Sequence, residues 1–201
     1  MQSLSEIDTT SKRASKAAGF SWGMAEEIGK AIRSLELFGL PGIKNLNLYL
    51  NKIEKKHPEK VNKIDQENKS KELCPIYCGV AFLDQCQKLE ILKKIKFYNI
   101  NYPILILPFI SKASEILGKK ILIQFKKSSF LMNFNKSILL NNLEKQTIEI
   151  VDEATIEFLE NENSFSDKEW KELYKLSENT FVKETDSLRA KGAGAGLTDN
   201  D

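Results

Sequence analysis

The residues of this chain whose type and spacing could do chemistry are three cysteines, one histidine and a C-terminus of alternating glycine. Cys74, Cys78 and Cys86 bring three thiols within thirteen residues. A structural zinc site needs a fourth ligand and usually spaces its cysteines two residues apart. Here the first pair is three apart, and the sole histidine, His57, lies in a strongly polar stretch. The expected reading is thiols buried in a strand, with no metal site. One histidine also argues against Ser-His-Asp hydrolysis and histidine relays. No phosphate loop, nucleophile elbow or zincin motif occurs. An enzyme built on this chain would depend on carboxylates, lysines or a cofactor whose identity the sequence leaves unknown.

Two further segments read as binding elements. Gly19-Phe20-Ser21-Trp22-Gly23-Met24-Ala25-Glu26-Glu27-Ile28-Gly29-Lys30 sets two aromatics beside three glycines. As packing, Gly23 and Gly29 let another backbone approach closely. As a site, Trp22 lines a pocket, and Ser21 with the free N–H groups of a helix start holds an anion. The other segment is Ser187-Leu188-Arg189-Ala190-Lys191-Gly192-Ala193-Gly194-Ala195-Gly196-Leu197-Thr198-Asp199-Asn200-Asp201. A dinucleotide fingerprint needs a preceding strand, a following helix and an acidic residue about twenty positions on, and this pattern does not fit one. Two readings stay open. The segment is a plain flexible tail, or it is an extended strap for a groove that admits only Gly and Ala. In the second case Gly192, Gly194 and Gly196 thread the groove. Thr198, Asp199, Asn200 and Asp201 then reach a partner or metal, and Arg189 and Lys191 face an anionic ligand.

The elements that must position these residues fall into three stretches. Ser3 and Glu6 form a capping box for a helix from Leu4 to about Ala18, stopped at Gly19. Ser21 caps a second helix with the stripe Ile28, Ala31, Ile32 and Leu35, closed by Gly39. Pro41 opens a third, with Ile43, Leu46, Leu50 and Ile53 as its apolar stripe. Residues 54–73 are polar and read as a solvated loop or frayed helix. Ile76–Leu83 and Tyr102–Ile110 read as buried strands, the second because Pro103 and Pro108 limit its helical options. Ser111 caps a short helix ending at Gly118. Ile121–Phe125 and Phe130–Phe134 read as a hairpin around Lys126-Lys127-Ser128-Ser129, with Leu122 and Gln124 on the opposite face from Ile121, Ile123 and Phe125. A second hairpin is expected from Thr147–Val151 and Thr155–Leu159 across Asp152-Glu153. Ser166 and Glu169 form another capping box, and its helix carries Trp170, Leu173 and Tyr174 on one face.

The fold class is therefore α+β: an N-terminal helical unit, then a mostly antiparallel or mixed sheet, a late helix and an extended C-terminal tail. One domain over 1–201 is expected, organised as a helical unit (1–56), a polar loop (54–73), an α+β core (74–180) and the tail (181–201). The chain has 201 residues, 41% hydrophobic and 29% charged, ordinary values for a globule with a real core. Its net charge of +2 is polarised: +3 over 1–70, +7 over 71–143 and −8 over 144–201. Internal neutralisation explains that pattern better than nucleic acid, because basic and aromatic residues are not interleaved. The longest apolar run is about nine residues against the roughly twenty of a membrane helix. No membrane or nucleic-acid partner is expected. The first residues lack a signal-peptide pattern and the cysteine number is odd, which fits a cytoplasmic protein.

Gly19 through Glu27, Leu40-Pro41-Gly42, Pro103 through Pro108-Phe109, Thr180 through Thr185 and Gly192 to Asp201 together resemble an uncharacterised bacterial family. It is catalogued as a domain of unknown function, thirty-seven twenty-six. The resemblance implies no activity. It does imply that the tail is a working part, because family members end in the same type of sequence. Phe181 and Lys183-Glu184 depart from the family's Tyr and Pro-Ala pair. The function is unknown from sequence. The favoured expectation is a cytoplasmic accessory or interaction subunit in small-molecule metabolism whose Gly-Ala tail docks in a groove of a protein partner or a second copy. A small-molecule enzyme using carboxylates and basic residues near the tail, and a homo-oligomer with exchanged tails, are the alternatives.

Overall fold

The computed structural model describes residues 2–53, 58, 60–133, 137–141, 148–159 and 165–178. The chain divides into two compact units, Met1–Asn161 and Glu162–Asp201.

The first unit opens with three helices: α1 (Leu4–Ala17), α2 (Trp22–Leu37) and α3 (Gly42–Ile53). The local signals act as expected. Ser3 and Glu6 form a reciprocal capping box, and Ser21 accepts the Met24 N–H. All four residues of the α2 stripe are buried. Gly29 lets α1 approach α2: a Cβ there would lie 2.8 Å from the Asp8 carbonyl oxygen. Gly23, by contrast, faces open space. The α3 stripe is rotated from the expected one. Gly42, Asn45, Leu46 and Tyr49 are buried, whereas Ile43 is exposed. Gly42 packs against Leu35, and Tyr49 supplies more buried surface than Ile43 would.

Residues 60–73 are not only solvated loop. Ile64 is buried, and β1 (Glu67–Asn68) pairs in parallel with β2 (Lys94–Asn101). Residues 70–73 then follow the same edge: Asn99 Nδ2 donates to the Ser70 carbonyl at 3.0 Å, and Leu73 bridges Ile100. This stretch covers an edge that would otherwise expose a row of unpaired amides.

Both expected buried strands are helical instead. Pro75–Asp84 is α4, and α5 (Lys88–Leu92) follows it. Tyr102–Ile110 becomes a 3-10 turn (Pro103–Ile106) leading into α6 (Leu107–Leu117), so Ser111 lies inside a helix and not at its start. Pro75, Pro103 and Pro108 each sit in the first two positions of their helix, where no N–H is needed. An apolar run has no period to separate a strand from a buried helix.

Among the described residues, the sheet has six strands in the order β1-β2-β6-β3-β4-β5. All pairs except β1–β2 are antiparallel. The hairpin of β3 (Lys120–Phe125) and β4 (Ser128–Asn133) forms, but its turn is only Lys126-Lys127, with Lys126 at φ 51°. β5 is Ser137–Asn141. The expected second hairpin is one continuous strand, β6 (Ile150–Leu159), between β2 and β3; Thr147 lies outside the described residues. Asp152 and Glu153 are two successive exposed residues that shift the alternation. The same shift occurs beside them on β2, where Asn99 takes φ 56°.

One sheet face buries Ile95, Phe97, Ile121, Ile123, Phe130 and Ile156 in the helix-covered core. The other carries the cross-strand ion pairs Lys94–Glu157 (3.4 Å) and Lys96–Glu153 (3.0 Å). The second unit contains α7 (Asp167–Ser177). The architecture is α+β, as expected.

Candidate functional site

The turn between α1 and α2 builds one wall of a cleft. Phe20 donates its N–H to the Ser15 carbonyl and is buried, its ring centroid 5.7 Å from that of Tyr77 on α4. Ser21 then leaves helical geometry and caps α2 through its hydroxyl, 3.3 Å from the Met24 nitrogen. The facing wall is α4. Ile76, Cys78 and Phe82 point to the core, and Gly79 lies against the Phe109 ring. Tyr77, Val80, Ala81 and Asp84, at i, i+3, i+4 and i+7, line the cleft. Residues 60–62 close the third side. Gln85 holds them to α4 by donating to the Asn62 and Ala81 carbonyls at 3.1 and 3.2 Å. The cleft encloses about 640 Å³. Partial burial raises the pKa of the Tyr77 hydroxyl and keeps it a donor.

Of the two sequence-predicted residues here, Ser21 lies in the cleft wall and Trp22 does not. Trp22 is 57% exposed, with the Lys16 and Lys12 ammoniums 5.5 and 5.9 Å from its ring centroid. Arg189, Lys191, Gly192, Gly194, Gly196, Thr198, Asp199, Asn200 and Asp201 lie outside the described residues, as does His57.

The three thiols are buried, but around a helix and not in a strand. Cys74 caps α4, its Sγ accepting the Tyr77 N–H at 3.5 Å; Cys78 lies in α4 and Cys86 just beyond it. Burial pushes the Cys74 thiol up to about 11 and raises Cys78 and Cys86 as well. At neutral pH all three are thiols, the weakly nucleophilic form. Among the described residues, no group of three or more His, Cys, Asp or Glu side chains is placed to hold a metal ion.

Sequence reasoning missed a polar network at the end of β2. Lys52 of α3 donates to Asn101 Oδ1 and Glu149 Oε1 at 3.0 Å each, and lies 3.7 Å from Glu72. Asn101 is buried and donates to the Leu73 carbonyl. The next residue, Tyr102, is left-handed at φ 40°. Partial burial would lower the Lys52 pKa, but Glu149 and Glu72 outweigh it and hold the ammonium above its ordinary value. Lys52 is thus a permanent cation tying four segments together, and not a base. No local signal announces it, because its partners lie about twenty, fifty and a hundred residues away in the chain.

In the second unit, α7 is complete in itself. Ser166 and Glu169 form a reciprocal capping box. Phe165 stacks on Trp170 at 5.6 Å, the staple that fixes a helix entry. The residues of its apolar face are exposed: Trp170 is 54% exposed, Leu173 62%, Tyr174 53% and Leu176 66%.

No helix among the described residues is long and apolar enough to cross a membrane. No curated protein and no solved structure matches the chain. Residues 2–74, which carry α1 to α3, Ser21 and the 60–62 wall of the cleft, match the model of a family described as a protein of unknown function (DUF3726), the family the sequence resembles; Pro103–Phe109, Thr180–Thr185 and Gly192–Asp201, which also carried the resemblance, lie outside the matched residues.

Proposed function

We propose that the protein is an interaction subunit that binds a protein partner through its C-terminal segment. The observation that supports this reading is α7. A helix whose first turn is capped and stapled forms in the chain's acidic third, and its two aromatics and two leucines are exposed on one face. Burying such residues is worth roughly 1.5–3 kcal/mol each. An amphipathic helix that lays anchors at i, i+3 and i+4 into a groove is a common mode of protein recognition. The Gly192–Asp201 tail follows the same helix in sequence, and on this reading it extends the contact as a narrow strap.

The test is affinity purification of three tagged forms from native lysate: full length, cut after Glu178, and cut after Ser164. The reading expects one stoichiometric companion with the full chain, weakened by the first cut and lost with the second. A companion retained unchanged by the shortest form would end it.

A further inference from the structure

The cleft beside α2 is more than a gap between packed helices. α4 is apolar around nearly its whole circumference, and such a helix normally has protein on every side. Ile76, Cys78, Gly79 and Phe82 satisfy that on the core side. Tyr77, Val80 and Ala81 are just as apolar, yet they border the cleft, opposite Phe20, Met24 and Val61. The tilted Phe20–Tyr77 pair makes one part of this lining aromatic. The volume of about 640 Å³ falls within the roughly 300–1,000 Å³ of small-molecule sites.

The charged groups of the cleft are few. Among the described residues, Lys16 and Lys60 line it as cations and Asp84 as the one carboxylate. No ion pair engages Lys16 or Lys60 among the described residues, whereas Lys12, one turn earlier, is held by Glu26 at 2.6 Å. A lining that mixes an apolar patch with polar groups, and with two cations of which Lys16 also lies over the Trp22 ring at 5.5 Å, is complementary to a molecule that combines an apolar body with a negative charge.

We infer that this cleft binds a small amphipathic organic anion. Its planar or otherwise apolar body packs against Phe20, Tyr77 and Val80. Its one acidic group is neutralised by Lys16 and Lys60, and Asp84 disfavours a second. All of these residues lie in 16–85, so the inference stands apart from the proposal for α7.

The probe is 1-anilinonaphthalene-8-sulfonate, which joins an apolar ring system to one anionic group. It is titrated into the full chain carrying Trp170→Phe, which leaves Trp22, beside Ser21 and Lys16, as the only tryptophan, excited selectively at the red edge where tyrosine does not absorb. The expected result is saturable one-to-one binding with quenching of Trp22. Lys16→Gln with Lys60→Gln should raise Kd about tenfold, a change of about 1.4 kcal/mol, with the melting temperature unchanged. Added salt should weaken the parent and hardly affect the double variant. Val80→Glu should abolish the transfer. Absence of Trp22 quenching, or equal affinity and equal salt dependence in parent and Lys variant, overturns the inference.

Discussion

α1 and α7 begin alike and end differently. In each, a serine N–H donates to the glutamate three residues on at 2.7 Å, and that glutamate's own N–H returns to the serine hydroxyl. α1 then lies against α2, close enough to bury Ser11 and Ser15, although its sequence is mostly polar. α7 carries the stronger apolar face, and none of its own residues is buried. A helix start is written in four residues and works wherever it falls. What a helix packs against is written elsewhere in the chain, in Gly29 for α1 and, on the reading proposed here, in another molecule for α7.

The sharpest way to break this comparison is at the α1–α2 contact. Gly29→Val puts a side chain onto the Asp8 backbone and should cost about 3 kcal/mol in urea unfolding. The matched change on α7, Trp170→Ala with Leu173→Ala, should leave the first unit's stability within about 0.5 kcal/mol. Equal losses would mean that α7 is part of the same core.

The caps should separate the two helices less strongly. Ser3→Ala is expected to lower the first unit's stability by about 1 kcal/mol. Ser166→Ala should leave it unchanged and reduce only the helicity of 167–177, read from backbone chemical shifts. Acid tests the same caps. The Ser3 backbone N–H holds Glu6 below the usual carboxylate range, and the Ser166 N–H does the same for Glu169. Each contribution is present above the ordinary Glu pKa and is lost as the pH falls through the depressed folded value. Proton-coupled shifts of the two carboxylates should move together, while only the Glu6 transition coincides with loss of first-unit structure. The thiols supply the smallest effect, a null: Cys74, Cys78 and Cys86 in the native protein at pH 8 should react negligibly with a disulfide reagent within the time that labels the urea-unfolded chain completely.

The sequence made local starts and stops legible and left phase and partnership obscure. Ser3, Ser21 and Ser166 mark their helices correctly, and Gly39 and Gly118 end theirs at φ 71° and 62°. Ile76–Leu83 was unreadable as helix from periodicity alone, because every position is apolar or small. The usable signal was Pro75 following a residue able to cap. Asp152-Glu153 resembled a turn because two polar residues interrupt an alternation, yet the strand continues there with its phase shifted opposite Asn99. β2 was missed although Lys94-Ile95-Lys96-Phe97 alternates cleanly. Ser21 was legible as a cap, whereas the pocket read beside it was assigned to Trp22, which does not line the cleft. The remaining lining comes from α4 and residues 60–62, which only the folded chain brings together.

The most direct test of the central claim uses one double variant, Trp170→Ala with Leu173→Ala, in the full-length protein. Its companion proteins from native lysate are quantified against those of the parent, alongside melting curves of both. The account predicts an unchanged melt and loss of the companion that the parent retains. An unchanged companion at unchanged stoichiometry would contradict it and leave the α7 face without a role in binding.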